Sequence, residues 1–178
     1  MKNWIKLIVI TLLLAAVIHV ATVAVLPYGI TLYTLLGMQH RTPGGQMNMI
    51  FQAPPTTADS RDVVRPSPDL LYSICVYEVS DKPLHIIAPI PNDTYWSMSF
   101  YAINTDNFFV VNDRTAKSNP ADILLVGENM PYHDTGNSEV VIAPSNMGVI
   151  LFRILVTDES KLSDLMQVQE QAYCSLVD

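Results

Sequence analysis

Two short stretches hold most of the side chains that could do chemistry. "RPSPDLLYS" carries Arg65, Asp69 and Tyr72, and "NTDNFFVVNDR" carries Asn104, Asp106, Asn107, Asn112, Asp113 and Arg114. A guanidinium can grip a carboxylate or another oxyanion with two parallel hydrogen bonds. A carboxylate such as Asp69, Asp106 or Asp113 can serve as acid or base, with Tyr72 and Arg65 beside a substrate. The same residue types also build turns, because Asn and Asp side chains bond their own backbone a residue or two on. Pro66 and Pro68 hold the entry segment extended. Two readings stand side by side. One is a set of turns, with Arg65 paired to Asp106 or Asp113. The other is a shared polar pocket of Arg65, Asp69, Tyr72, Asn104, Asp106, Asp113 and Arg114, in which Arg65 binds an anionic or hydroxylated ligand.

Other chemistry is thin. The chain has no glycine-rich phosphate loop, no G-x-S-x-G elbow and no H-E-x-x-H pair. His133 and Asp134 are adjacent and Glu139 is near, but no second histidine is close, so no metal and no cofactor is expected. Cys75 and Cys174 lie at opposite ends of the polar half of the chain. In an oxidising compartment a disulfide between them is expected, closing a loop of roughly 100 residues worth up to about 4.7 kcal/mol in the chain-entropy account. Tyr95, Trp96 and Tyr101 offer stacking surface for a glycan, yet alternation along a strand puts Tyr95 and Tyr101 on one face and Trp96 on the other.

The elements that position these residues follow from hydropathy. "WIKLIVITLLLAAVIHVATVAVL", residues 4–26, has one charge, Lys6. It is long enough to cross a hydrocarbon core of about 30 Å, and longer than the apolar core of a cleavable signal peptide. It reads as an uncleaved signal anchor. Lys2 and Lys6 precede it, and no acidic residue occurs before Asp59, so the positive-inside rule sets the N-terminus in the cytoplasm and the rest outside. His19, inside this run, is expected to contact a partner helix. "PYGITLYTLLGMQH" stays apolar beyond Pro27, either as more helix or as a segment along the outer surface. Two of the 10 basic residues precede residue 40. The remaining 8 face all 17 acidic ones, a net charge of about −9 for the outer part. Such a surface disfavours nucleic acid and electrostatic docking onto anionic lipid heads.

Residues 41–60, rich in Pro, Gly and small polar residues, read as a linker between the anchor (1–40) and a folded domain (61–178). In that domain seven β-prone runs alternate with turn signals, at 70–79, 84–90, 95–103, from 108, from 122, from 139 and at 148–156. One helix follows, capped by Thr157 or Asp158, with Leu162, Leu165, Met166, Gln169, Ala172 and Tyr173 on one stripe. The fold class is therefore mainly β: a transmembrane helix, then an antiparallel, jelly-roll-like β-sandwich with one C-terminal helix.

"VVRPSPDLLYS", "TYWSMSFYAINTDNFFVVNDR" and "GVILFRILV" resemble, in this order, the bacterial domain-of-unknown-function 1254 family, in particular its short membrane-anchored members. The resemblance runs over roughly residues 50–175. Longer members carry a motif like R-P-N-x-D-T-L-Y-S, where this chain has Ser67, Pro68 and Leu70. The resemblance implies a β-sandwich and, because long members continue into a domain of the 1214 family, a companion chain of that kind. It implies no reaction. The expected role is a non-catalytic, membrane-anchored accessory subunit of a bacterial inner-membrane assembly, its sandwich in the periplasm contacting other membrane protein chains. The alternatives are a hydrolase-like envelope enzyme and a small-molecule or glycan-binding protein, both built on the pocket around Arg65, Asp69 and Asp106.

Overall fold

The computed structural model describes residues 2–39, 46–57, 59–60, 66–132 and 136–177. Helix α1 spans Lys2–Gln39, 38 residues with Pro27 inside it. Pro27 has no N–H, so the Val23 carbonyl loses its helical donor, and the helix runs on through that position. Thr31 Oγ1 donates to the Pro27 carbonyl at 2.9 Å, one turn on. Residues 27–39 thus extend the helix rather than turning along a surface. At 1.5 Å per residue its length is about 57 Å. It is long and apolar enough to cross a membrane, with a mean hydropathy of 2.7 over an 18-residue window within Asn3–Gly37. Its side chains, His19 among them, are exposed nearly throughout; Thr31 and Leu35, one turn apart, are buried where α1 meets the domain.

Among the described residues nine strands form two packed sheets. Sheet 1 runs β1 (Ile50–Gln52), β2 (Leu70–Glu78), β8 (Met147–Leu155), β4 (Trp96–Ala102) and β5 (Asn107–Asn112), all antiparallel. Sheet 2 runs β7 (Glu139–Ala143), β6 (Ala121–Gly127), β3 (Leu84–Ala88) and β9 (Tyr173–Leu176). Its β6–β7 pair is parallel, so the sandwich is not purely antiparallel as expected. Strict alternation fills the space between the sheets. Leu71, Cys75, Tyr77, Trp96, Met98, Phe100, Ile150, Phe152 and Ile154 from sheet 1 meet Leu84, Ile86, Ile123 and Leu125 from sheet 2.

All seven expected strands are present. Two more lie where none was expected. β1 falls inside the segment read as linker and pairs with β2, so ordered pairing begins ahead of residue 61. β9 follows helix α2 (Leu162–Glu170) directly and takes in Tyr173, which was placed on the helix stripe. Asp158 caps the 3-10 turn Glu159–Lys161 that leads into α2, its carboxylate accepting from Ser160 N–H. Leu165 and Gln169 are the buried residues of α2. The Gln169 amide donates to the Tyr72 carbonyl at 2.8 Å and to Ser73 Oγ at 2.9 Å, pinning the helix to β2.

Candidate functional site

The acidic residues read as one pocket are divided by a strand. Asn104 and Asp106 sit in the β4–β5 turn, whereas Asp113 and Arg114 follow the far end of β5, six residues and roughly 20 Å away. Asp69 and Tyr72, at the start of β2, share the Asp113 end, because β2 begins opposite the end of β8 and β8 ends beside the start of β4. Arg65 lies outside the described residues, as do His133 and Asp134. Asp69 and Asp106 stand at opposite ends of sheet 1, so these two do not share a pocket.

The turn residues are used locally. Asn104 Nδ2 donates to Asp106 Oδ2 at 2.6 Å, and its Oδ1 accepts from Asp106 N–H at 3.2 Å. The latter closes the turn around Thr105, whose φ is +73°. Asn112 Oδ1 accepts from the N–H groups of Arg114 and Thr115 at 2.9 and 3.1 Å. Asp113 Oδ1 is 3.4 Å from the Trp96 N–H, and Arg114 is nearly fully exposed. Asp69 contributes its carbonyl to Val156 N–H. The Tyr72 hydroxyl accepts from Ser67 N–H at 3.0 Å, so part of the proline-rich entry segment is tied to the sheet by a phenol. Glu139 pairs with Lys117 at 3.0 Å. An open cleft of about 710 Å³ lies at the Asp113 end, lined by Asn92, Asp93, Tyr95, Asp113, Arg114 and Lys117 among others. Trp96 is buried in the core while Tyr95 is exposed, as alternation requires.

A different polar set is assembled across sheet 1. Tyr72, Arg153, Ser97 and Asn112 are direct cross-strand partners on β2, β8, β4 and β5, one rung spanning four strands. Their neighbours Leu71, Ile154, Trp96 and Val111 belong to the core, so alternation turns this rung to the outer face. Each of the three sequence stretches quoted above supplies at least one member of it. Further along β4, on the same face, come Ser99 and Tyr101. Arg153 Nη2 reaches Tyr101 Oη at 3.5 Å, long for a hydrogen bond. Ser97 and Ser99 are buried at 1% and 4% exposure. Among the described residues Ser97 Oγ is the buried side-chain polar atom without a partner. Arg153 and Ser97 were not singled out in the sequence. Parity was the available signal: each is polar at a position whose strand neighbours are core residues.

The expected disulfide is not formed. Cys75 on β2 and Cys174 on β9 are free, buried thiols. They do meet across the two sheets. Burial pushes the Cys174 thiol well above its ordinary value, and a hydrogen bond with Cys75 adds to this. The thiolate is the species that oxidises, so a pair held protonated in an apolar core resists bonding. Between the same sheets, burial pushes the Tyr77 phenol up to about 12, partly offset by a hydrogen bond with Ser145. His85 Nε2 and Asp122 Oδ1 lie 2.9 Å apart on sheet 2, and no group of three metal-ligating side chains occurs among the described residues.

The family described as "Protein of unknown function (DUF1254)" matches residues 47–175. No curated protein matches. Among solved structures, the VPA0106 protein from Vibrio parahaemolyticus is similar at 14% identity, over 85% of this chain and 34% of that chain, with a TM-score of 0.65. An uncharacterised protein from Burkholderia cenocepacia is similar at 12% identity, over 74% of this chain and 34% of that chain, with a TM-score of 0.49. The chain thus spans about a third of the length of these relatives, and the likeness to the first is one of fold.

Proposed function

Since this chain belongs to the DUF1254 family, for which no function is known, we propose its role from its own geometry. It is a membrane-anchored, non-catalytic accessory subunit that holds its β-sandwich at the membrane surface for other chains to bind. The observation that carries this reading is the outer end of α1. Thr31 and Leu35 dock on the domain, while Ile30, Leu32, Tyr33 and Leu36 around them stay exposed beyond the main apolar run. Apolar side chains at that height call for cover by protein or by the interfacial layer. His19 adds to the case, because an ionisable ring facing lipid is costly and a neighbouring helix can bond it.

In this reading the lysines keep the N-terminus in the cytoplasm, and the sandwich faces the periplasm of a bacterial inner membrane. The companion is a membrane protein chain, and a chain of the 1214 family is the expected candidate. Support comes from the Vibrio parahaemolyticus protein, in which about two thirds of the chain accompanies the shared fold. A photo-crosslinking residue placed at His19 tests the partner directly. Crosslinks to one defined second protein are expected. Crosslinks to lipid alone would overturn the subunit reading.

A further inference from the structure

We propose that the outer face of sheet 1 is a binding site for a phosphate group, centred on Arg153. Arg153 lies mid-sheet, half-buried, on a central strand, and its partner among the described residues is the neutral Tyr101 hydroxyl at a long 3.5 Å. No carboxylate among the described residues pairs with it, although the outer part of the chain carries a large acidic excess. A guanidinium presents five donors in a planar fork, and leaving most of them unused at a part-buried position is unfavourable. Ser97, its direct partner on β4, adds an independent sign. Its hydroxyl is buried without a hydrogen-bond partner, next to the guanidinium's own rung. A buried hydroxyl in that state is destabilising relative to a satisfied one.

An oxyanion seated on Arg153 accepts from the guanidinium fork, with Tyr101 and Tyr72 hydroxyls on the same face, and from the Ser97 O–H where binding displaces what now covers that hydroxyl. Phosphate fits better than a carboxylate because three or four oxygens can serve donors arriving from β8 and β4 together. The face also lies on β2 and β8, the strands that α1 meets, which places it near the membrane anchor. The phosphate can therefore come from a lipid headgroup or from a free phosphorylated solute. This inference does not depend on the subunit reading.

The test uses the full chain, purified in a phosphate-free neutral detergent, with thermal unfolding as the readout. Inorganic phosphate is titrated in one arm. In the other, the chain is placed in nanodiscs of phosphatidylglycerol or in a phosphate-free glycolipid. A saturable rise in melting temperature with inorganic phosphate, weakened at least about tenfold in Arg153→Met, assigns a free phosphate. A rise confined to phosphatidylglycerol and lost in Arg153→Met assigns a headgroup. No Arg153-dependent response in either arm overturns the site. Ser97→Ala guards against a merely misfolded variant. It is expected to keep or raise the melting temperature without anion while weakening the anion response severalfold. A fall in melting temperature without anion would show a structural partner for that hydroxyl and overturn its assigned role.

Discussion

The polar residues of the β4–β5 region and those on the strands of sheet 1 are made of similar chemistry and held in opposite ways. Asn104, Asp106, Asn112 and Arg114 are exposed or nearly so, and their recorded bonds, apart from the ion pair with Asp113, close turns within three residues. Ser73, Tyr77, Ser97, Ser99 and Arg153 sit on strands, mostly buried, and the hydrogen bonds of Ser73, Tyr77 and Arg153 reach residues distant along the chain. A dense run of Asn and Asp therefore marks a place where the chain reverses. A single polar residue inside an apolar strand marks a place where something beyond local geometry must explain it.

The contrast predicts a ranking of substitutions. The largest effect belongs to Gly148→Ala. A Cβ there would lie 2.1 Å from the Tyr101 carbonyl and 2.5 Å from the Tyr77 hydroxyl, so two strands must shift. A loss of about 3 kcal/mol or more in chemical unfolding is expected. A neutral result would show that the strand-borne polar groups are loosely held.

Tyr77 gives the next. Its folded pKa of about 12 exceeds the ordinary 10, so the folded state holds the phenolic proton more tightly. That stability is fully present below pH 10 and is lost as pH rises from 10 through 12. The total is about 2–3 kcal/mol by linkage. Tyr77→Phe should abolish this alkaline limb in a pH series of melting curves.

Gln169→Ala should cost about 2 kcal/mol, since it strips the Tyr72 carbonyl and Ser73 hydroxyl of a buried donor and frees α2. Hydrogen exchange should accelerate in α2 before it does in β8. The smallest effect is expected for Asp106→Asn, within about 0.5 kcal/mol, because the exposed turn keeps its backbone bonds. A larger loss there would erase the distinction between the two sets.

Much of this architecture was readable from the chain. Seven strands, the long apolar N-terminal helix and the C-terminal helix, with Asp158 capping the 3-10 turn ahead of it, follow from period, turn residues and capping. β1 escaped because three residues, "IFQ", carry no period of their own and lie between glycines and prolines; pairing with β2 alone makes them a strand. β9 escaped because "YCSL" continues an apolar stripe that suits the helix before it equally well. The candidate site was the least legible part. Clustering in sequence pointed to Asp69, Asp106 and Asp113, of which Asp106 stands at the opposite end of sheet 1 from the other two, and it passed over Arg153, whose partners are 52 or more residues distant along the chain. The cysteines show the same limit from the other side. Their meeting across the sandwich was readable, but their state as buried, mutually bonded thiols depends on an environment that only the packed core supplies.

The account's central claim is that this chain works as an anchored subunit beside other membrane chains. Native mass spectrometry of the full chain, extracted in mild detergent from its own membrane, tests this most directly. The expected result is a defined complex in which the 19.8 kDa chain is joined by at least one different protein. A monodisperse 19.8 kDa species, free of any second chain under the mildest extraction, would contradict it.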